Sequence, residues 1–140
     1  MLKLTSAANE ESHLLQRPPI VLTTSDRDSL LSLLRSESTT IDPSIARFLR
    51  EELERADIAS KELSSTAIVS IGSTVKFVDQ NSTSIREAKL VLPEEGNDVD
   101  LISVTGALGS ALLGLGPGQT ISWYEGQTER RTTVLETSKR

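Results

Sequence analysis

The chain contains 140 residues with a formal net charge of −5, of which 36% are hydrophobic and only 3% aromatic, and it has no cysteine. This length suits one ordinary domain, or a domain of about 75 residues with a small helical addition, and excludes two large hydrophobic cores. The acidic balance disfavours direct DNA binding, which needs clustered cations, and the lack of cysteine excludes disulfides, thiolate zinc sites and cysteine nucleophiles.

Residues 1–18 predict a flexible tail, because they are polar and show neither helical nor strand periodicity. They contain no long apolar run and include Glu10, Glu11 and His13, which excludes a secretory signal or a transit peptide and predicts a cytoplasmic protein. His13 is the only histidine of the chain. Since it lies in the tail, we expect it to be solvated rather than catalytic.

Residues 19–60 predict a short antiparallel hairpin of two helices. An extended strand at 20–24 precedes Ser25, which we expect to cap the first helix. Asp42 and Pro43 mark the start of the second helix, because proline at the first helical position needs no N–H. The second helix also pairs Glu51 with Arg55 four residues later. The apolar faces consist of Leu30, Leu31, Leu33 and Leu34 in the first helix, and of Ile45, Phe48, Leu49, Leu53 and Ala56 in the second.

Residues 61–140 predict an antiparallel sheet with one short helix. Alternating polar and apolar residues place strands at 67–70, 73–79, 84–92, 101–104, 119–124 and 130–136, and a run of small and apolar residues places the helix at 108–113. The low-charge stretch at 101–123 contains five glycines and one proline. It therefore favours strand, helix and turn over a helix that spans a membrane. The predicted fold class is α+β.

Three sequence patterns resemble catalytic or ligand-binding motifs of other proteins, but none of them indicates such a site here. Ser73 and Lys76 have the spacing of an acylating Ser-x-x-Lys pair, but they fall in a strand pattern that turns them to opposite faces. Gly109 and Gly114 have the spacing of a phosphate-binding loop without its lysine. The acidic stretch at 94–100 matches no calcium loop and is typical of a solvated connection. We therefore expect no enzyme activity, no metal and no cofactor.

Three sequence segments resemble a known family: residues 52–56 (ELERA), 73–77 (STVKF) and 110–115 (SALLGL). They are similar to the Rnk family, known as regulators of nucleoside diphosphate kinase, and to the C-terminal domain of the Gre transcription elongation factors. The likeness extends over residues 19–136. It implies a short coiled coil followed by an FKBP-like domain, in a protein that binds RNA polymerase near its secondary channel and competes with Gre factors.

The resemblance also implies which residues contact RNA polymerase. In Gre-like domains the turn before the short helix meets the polymerase, and here Gly106 and Ala107 replace the usual Ser/Thr-Pro. The expected contact residues are Ser103, Thr105, Gly106, Ala107, Leu108 and Gly109. At the hairpin tip, Glu37 and Asp42 lack the paired arrangement with which Gre factors help hold Mg²⁺ for RNA cleavage. Each helix is also only about 18 to 23 Å long, so we expect no transcript cleavage.

The sequence leaves two other functions open. An FKBP-like topology allows a peptidyl-prolyl isomerase, although Phe77, Trp123 and Tyr124 are few aromatic residues for such a pocket, and a shared fold does not transfer activity. The apolar face of the hairpin allows a homo-oligomeric interaction module. Such a module would need exposed apolar side chains on that face. Those side chains are Leu30, Leu34 and Phe48.

Overall fold

The computed structural model describes residues 17–36, 40–59, 67–80, 82–95 and 100–139. The predictions for the tail at 1–16, for Glu37 at the hairpin tip and for part of the acidic stretch at 94–100 lie outside these ranges. The described chain has a mixed α+β fold with a curled sheet and few helices. The predicted fold class is confirmed at that level.

Two helices and a small two-stranded sheet form the N-terminal part of the described chain. Strand β1 spans Val21–Thr23, helix α1 Thr24–Arg35, helix α2 Pro43–Arg55 and strand β2 Asp57–Ala59. β1 and β2 pair in parallel, with Val21 opposite Asp57. The strand predicted at 20–24 is therefore confirmed in its central residues. The sequence does not predict β2, because three residues carry too little alternation to indicate a strand.

Both helices begin at a residue whose side chain caps them. The Thr23 hydroxyl accepts a hydrogen bond from the Asp26 N–H at 3.0 Å, so the predicted cap at Ser25 is wrong. Thr23 has the extended backbone that a cap requires, whereas Ser25 already lies inside the helix. The start of α2 is as predicted, with Asp42 as the cap and Pro43 as the first helical residue.

A five-stranded sheet forms the rest of the described fold. Its strands are β3 at Ser73–Asp79, β4 at Ile85–Val91, β5 at Leu101–Ser103, β6 at Thr120–Glu125 and β7 at Thr128–Lys139, in the order β5-β4-β3-β7-β6. Helix α3 spans Ala107–Leu112, between β5 and β6 in the chain. All neighbouring strands are antiparallel except β4 and β5. The prediction of a wholly antiparallel sheet is therefore wrong at β5, because the connection after β4 returns the chain to run alongside β4 in the same direction.

The segment at 67–70 is not a strand, which corrects the prediction there, although all of it except Ala67 is buried. Ile68 and Val69 are buried. The Val69 N–H donates to the Leu115 carbonyl at 2.7 Å, and the Val69 carbonyl accepts from the Gly114 N–H at 2.8 Å. The backbone of this segment is thus paired with the loop that follows α3 rather than with a strand.

One continuous hydrophobic core joins the helices to the sheet. Leu30 of α1 and Leu49 of α2 belong to the same buried cluster as Leu112 of α3. Leu30 is fully buried, and Leu34 and Phe48 are partly buried and pack against the cluster. The chain itself therefore covers most of the apolar face that a homo-oligomer would need. None of the helices in the described ranges combines the length and apolar character needed to cross a bilayer.

Candidate partner-binding cleft

A cleft of about 600 Å³ opens between α3 and the sheet. Its large apolar lining residues are Leu108 on α3 and Trp123 on β6, which are partly exposed, and Ile102 on β5 and Phe77 on β3, which are buried beneath it. Its rim is polar and charged. The rim residues are Asp79, Ser82, Ser84, Arg86, Glu125 and Arg130. An apolar centre surrounded by a polar rim is the usual anatomy of a surface that binds another protein.

The turn between β5 and α3 forms one wall of the cleft. Five of the six residues predicted to contact a partner line it, and these are Ser103, Gly106, Ala107, Leu108 and Gly109. The sixth, Thr105, holds the turn in shape. Its hydroxyl lies 2.9 Å from the Ser103 hydroxyl, and its N–H donates to the same Ser103 oxygen at 3.2 Å. The structure thus brings the predicted residues together around one concave surface.

Gly109 allows α3 to lie directly against the end of β5. A Cβ atom at this position would lie 2.7 Å from the carbonyl carbon of Ser103 and closer still to its oxygen. Gly106 differs, because a Cβ atom there would lie 3.4 Å from that oxygen, at an ordinary contact distance. Gly106 is also the N-cap of α3 and provides no side-chain hydrogen bond to the helix. Position 109 therefore requires glycine, whereas position 106 has room for a side chain.

Trp123 separates this cleft from a second one and lines both. Its indole N–H donates to the Thr132 hydroxyl at 2.9 Å, which fixes the ring against the neighbouring strand. Sequence reasoning named Phe77 and Trp123 only as possible pocket residues of the isomerase alternative, and it did not identify Arg86 as a cleft residue. The available signal was the period-two pattern, which places Phe77 on the buried face of β3, but it does not show where that face becomes open.

Two arginines at the rim have different surroundings. The Arg130 guanidinium contacts the Glu125 carboxylate at 2.8 Å and the Asp79 carboxylate at 3.4 Å. The Arg86 guanidinium lies 5.2 Å from the centre of the Phe77 ring. It forms no salt bridge with any residue in the described ranges. Arg130 is thus paired with two carboxylates. Arg86 is paired with none in the described ranges, so its positive charge is available at the mouth of the cleft.

The second cleft, of about 300 Å³, lies between α2, α3 and the edge strand β6. At its side, the Arg17 guanidinium lies 4.6 Å from the centre of the Phe48 ring and contacts the Glu51 carboxylate at 2.9 Å. Arg55 contacts Glu52 instead, at 2.6 Å. The predicted pair of Glu51 and Arg55 is therefore wrong, because Arg17 reaches Glu51 from outside the helix while it stacks on Phe48.

Of the two acidic residues predicted at the hairpin tip, Asp42 lies within the described ranges. Glu37 lies outside the described ranges. Asp42 accepts hydrogen bonds from the Ser44 hydroxyl at 2.6 Å and from the Ser44 N–H at 2.8 Å, and these bonds hold the pKa of the Asp42 carboxyl below its usual value. Among the residues described, no group of three or more His, Cys, Asp or Glu side chains is placed to hold a metal ion.

Comparison with known proteins assigns both parts of the chain. Residues 18–58 match the family model described as Rnk N-terminus, and residues 64–139 match the one described as transcription elongation factor, GreA/GreB, C-term. The chain is 34% identical over 124 residues to the regulator of nucleoside diphosphate kinase of Escherichia coli (strain K12), which covers 87% of this chain and 90% of that protein. The protein of the same name from Shigella flexneri gives the same values.

A solved structure is also similar, that of a prokaryotic transcription elongation factor GreA/GreB from Nitrosomonas europaea. It superposes with a TM-score of 0.65 and 31% identity, and the match covers 86% of this chain and 98% of that chain. The relatives found in these comparisons are named as regulators or factors rather than as enzymes.

Proposed function

The chain belongs to the Rnk family, with a second part of the GreA/GreB C-terminal type, and from this membership we propose that it regulates transcription by binding RNA polymerase. The family relation confirms the resemblance seen in the sequence and makes the protein a regulator of the transcription-elongation-factor type. We further propose that it docks near the secondary channel, competes with Gre factors and acts in the cytoplasm.

The observation that carries the proposal is the cleft, around which five of the six expected contact residues lie. The turn residues Ser103 to Gly109 are adjacent to a floor of Phe77 and Trp123. Large side chains in a concave, partly desolvated site supply most of the binding energy at protein interfaces, and the polar rim around them excludes water. The cleft supports binding of a polymerase segment that inserts an apolar side chain.

The helices α1 and α2 form the short hairpin of the proposal. We assign residues 1–18 to a tail, 19–60 to the hairpin and 61–140 to an FKBP-like domain. The helices have 12 and 13 residues, hence lengths of about 18 to 20 Å, which suffices to obstruct a channel entrance but not to reach far inside. The Asp42 carboxylate is engaged in the cap of α2, which supports a role without RNA cleavage.

The cleft does not favour the alternative of a peptidyl-prolyl isomerase. Such a pocket would use all three aromatic residues of the domain, but within the described ranges only Phe77 and Trp123 line the cleft. Tyr124 lines the second cleft instead and is 47% exposed. The aromatic enclosure expected of a prolyl pocket is therefore incomplete.

A pull-down of core RNA polymerase by the purified protein tests the proposal. We expect the polymerase to be retained and to be released when a Gre factor is added as a competitor. Retention that a Gre factor does not reduce would contradict the proposed competition, and no retention under conditions where a Gre factor is retained would contradict polymerase binding itself.

Cleavage of backtracked RNA tests the non-catalytic part of the proposal. We expect the protein to leave the cleavage rate at the value of the polymerase alone. Cleavage above that rate, lost on Glu37→Ala or Asp42→Ala, would show that the tip acids act as they do in Gre factors.

A further inference from the structure

Arg86 occupies a position where the pattern of strand β4 calls for an apolar residue. Positions 86, 88 and 90 share one face of the strand, and Ala88 and Leu90 are buried on it. Arg86 lies directly opposite Phe77 in the register of β3 and β4. Its guanidinium is 5.2 Å from the centre of the Phe77 ring, and its side chain is exposed at the mouth of the cleft.

The rim of the cleft carries two acids, Asp79 and Glu125, and two arginines, and Arg86 is the one of these four that forms no salt bridge within the described ranges. Arg130 contacts both Asp79 and Glu125, the two carboxylates of the rim. Arg86 contacts neither of them, nor any other acid in the described part of the chain. Because no carboxylate of the described chain occupies the N–H donors of Arg86, a carboxylate from outside can bind them without displacing an existing ion pair.

The contact with Phe77 also prepares Arg86 for binding. An arginine packed over an aromatic ring loses part of its rotational freedom before the partner arrives, which lowers the entropic cost of binding. Its planar fork of N–H donors suits a carboxylate, which accepts two parallel hydrogen bonds. A lysine at this position would offer a point charge without that fork.

We propose that Arg86 recognises an aspartate or glutamate side chain of the polymerase segment that docks in the cleft, next to the apolar side chain that enters between Phe77, Leu108 and Trp123. This inference rests on the proposed function, since it specifies the chemistry of the partner at the same cleft. The recognised motif is an apolar residue with a neighbouring acid on one exposed surface.

The test measures the affinity of Arg86 variants for core RNA polymerase free of nucleic acid, so that no phosphate group can stand in for the carboxylate. We expect Arg86→Gln to weaken binding about tenfold, as loss of a charge-assisted bidentate contact predicts, and to reduce the dependence of affinity on salt. The affinity of Arg86→Lys should lie between those of the unmodified protein and Arg86→Gln, because lysine keeps the positive charge but lacks the planar fork of N–H donors. Arg86→Glu should bind more weakly than Arg86→Gln through repulsion of the partner acid.

Arg131→Gln is the matched control, because Arg131 is exposed on β7 and lines neither cleft. It should bind as the unmodified protein does, and thermal melts should show all variants folded. If Arg86→Gln binds like Arg131→Gln, with the same salt dependence, the inference is overturned while polymerase binding stands. If the unmodified protein does not bind the polymerase at all, the proposed function fails and the inference fails with it.

Discussion

Glu52 is a buried carboxylate held by two arginines. It is 4% exposed and accepts hydrogen bonds from both Nε and Nη2 of Arg55, at 2.6 and 2.8 Å. Arg17 approaches the same carboxylate at 3.4 Å. The charge is thus compensated from within α2 and from the chain segment that precedes β1, which ties that segment to the helix.

Glu52→Gln should destabilise the protein by about 1.5 to 3 kcal/mol, the range for hydrogen bonds to charged groups, because two arginines lose their shared anion. Urea denaturation at neutral pH measures the change. Glu54→Gln is the control, since Glu54 is exposed on the same helix, and it should change stability by less than about 0.5 kcal/mol. Equal effects of the two substitutions would contradict this assignment of Glu52.

The two glycines of the cleft wall should respond in opposite directions to the same substitution. Gly109→Ser should destabilise by about 1 to 3 kcal/mol, the cost of overpacking, because its Cβ would overlap the Ser103 carbonyl. Gly106→Ser should stabilise by a few tenths of a kcal/mol, roughly the advantage of serine over glycine at an N-cap. Thermal melts compare the two, and a tolerated serine at 109 would show that α3 does not rest against β5 as described.

The cap at Asp42 could be predicted because its partner is close in sequence, although two other local predictions, the cap at Ser25 and the pair of Glu51 and Arg55, were wrong, and residues with distant partners could not be predicted. The cap at Asp42 depends on Ser44, two positions away, and the sequence shows it directly. The interaction between Glu52 and Arg17 joins positions 35 residues apart, so it exists only after the chain has folded. The same holds for Arg86, whose contact with Phe77 depends on the register of two strands.

At the scale of single elements, the start of α2 makes a prediction about pH. The Ser44 hydroxyl and N–H lower the pKa of the Asp42 carboxyl in the folded protein. A carboxyl with a lowered folded pKa stabilises the protein fully above its unfolded pKa, and this stabilisation is lost as the pH falls through the folded pKa.

Asp42→Ala should therefore lower the Tm at neutral pH, and the difference from the unmodified protein should shrink between about pH 5 and pH 2. Thermal melts across this range measure the difference. Ser44→Ala is a second variant that removes the hydroxyl donor and should show a smaller effect of the same sign. A difference in Tm that stays constant down to the lowest pH would contradict a charged cap at Asp42.

Elements defined by their own pattern were predictable, whereas elements defined by a neighbour were not. The alternation at 73–79 predicts β3 with its observed bounds, and the small apolar run at 108–113 predicts α3 to within one residue. β2 exists because β1 lies beside it. The segment at 67–70 has the composition of a strand, yet the backbone of Val69 forms its hydrogen bonds with Gly114 and Leu115. The composition of the segment does not indicate these partners.

At the scale of the whole molecule, one core fixes the helices relative to the sheet. Leu30 and Leu49 are buried in the same cluster as Phe77 and Leu112, so the two matched family segments fold against each other. The residues of the turn wall could be predicted from the family resemblance. That Arg86, Phe77 and Trp123 meet this turn at one cleft could not be predicted, because they come from three strands whose order in the sheet is not readable from the sequence.

The central claim is that the protein binds RNA polymerase through the cleft at Leu108. The affinity of Leu108→Asp for core RNA polymerase, compared with that of Leu135→Asp, tests it most directly. Both residues are leucines, but Leu135 is 37% exposed on β7 and lines neither cleft. Circular dichroism and a thermal melt establish that each variant is folded.

We expect Leu108→Asp to weaken binding about tenfold or more, because it places a charge at the desolvated centre of the contact. This loss of affinity should exceed the part that the variant's lower folding stability accounts for. Leu135→Asp should bind as the unmodified protein does. A folded Leu108→Asp variant that binds the polymerase with unchanged affinity would contradict the claim that this cleft is the docking surface.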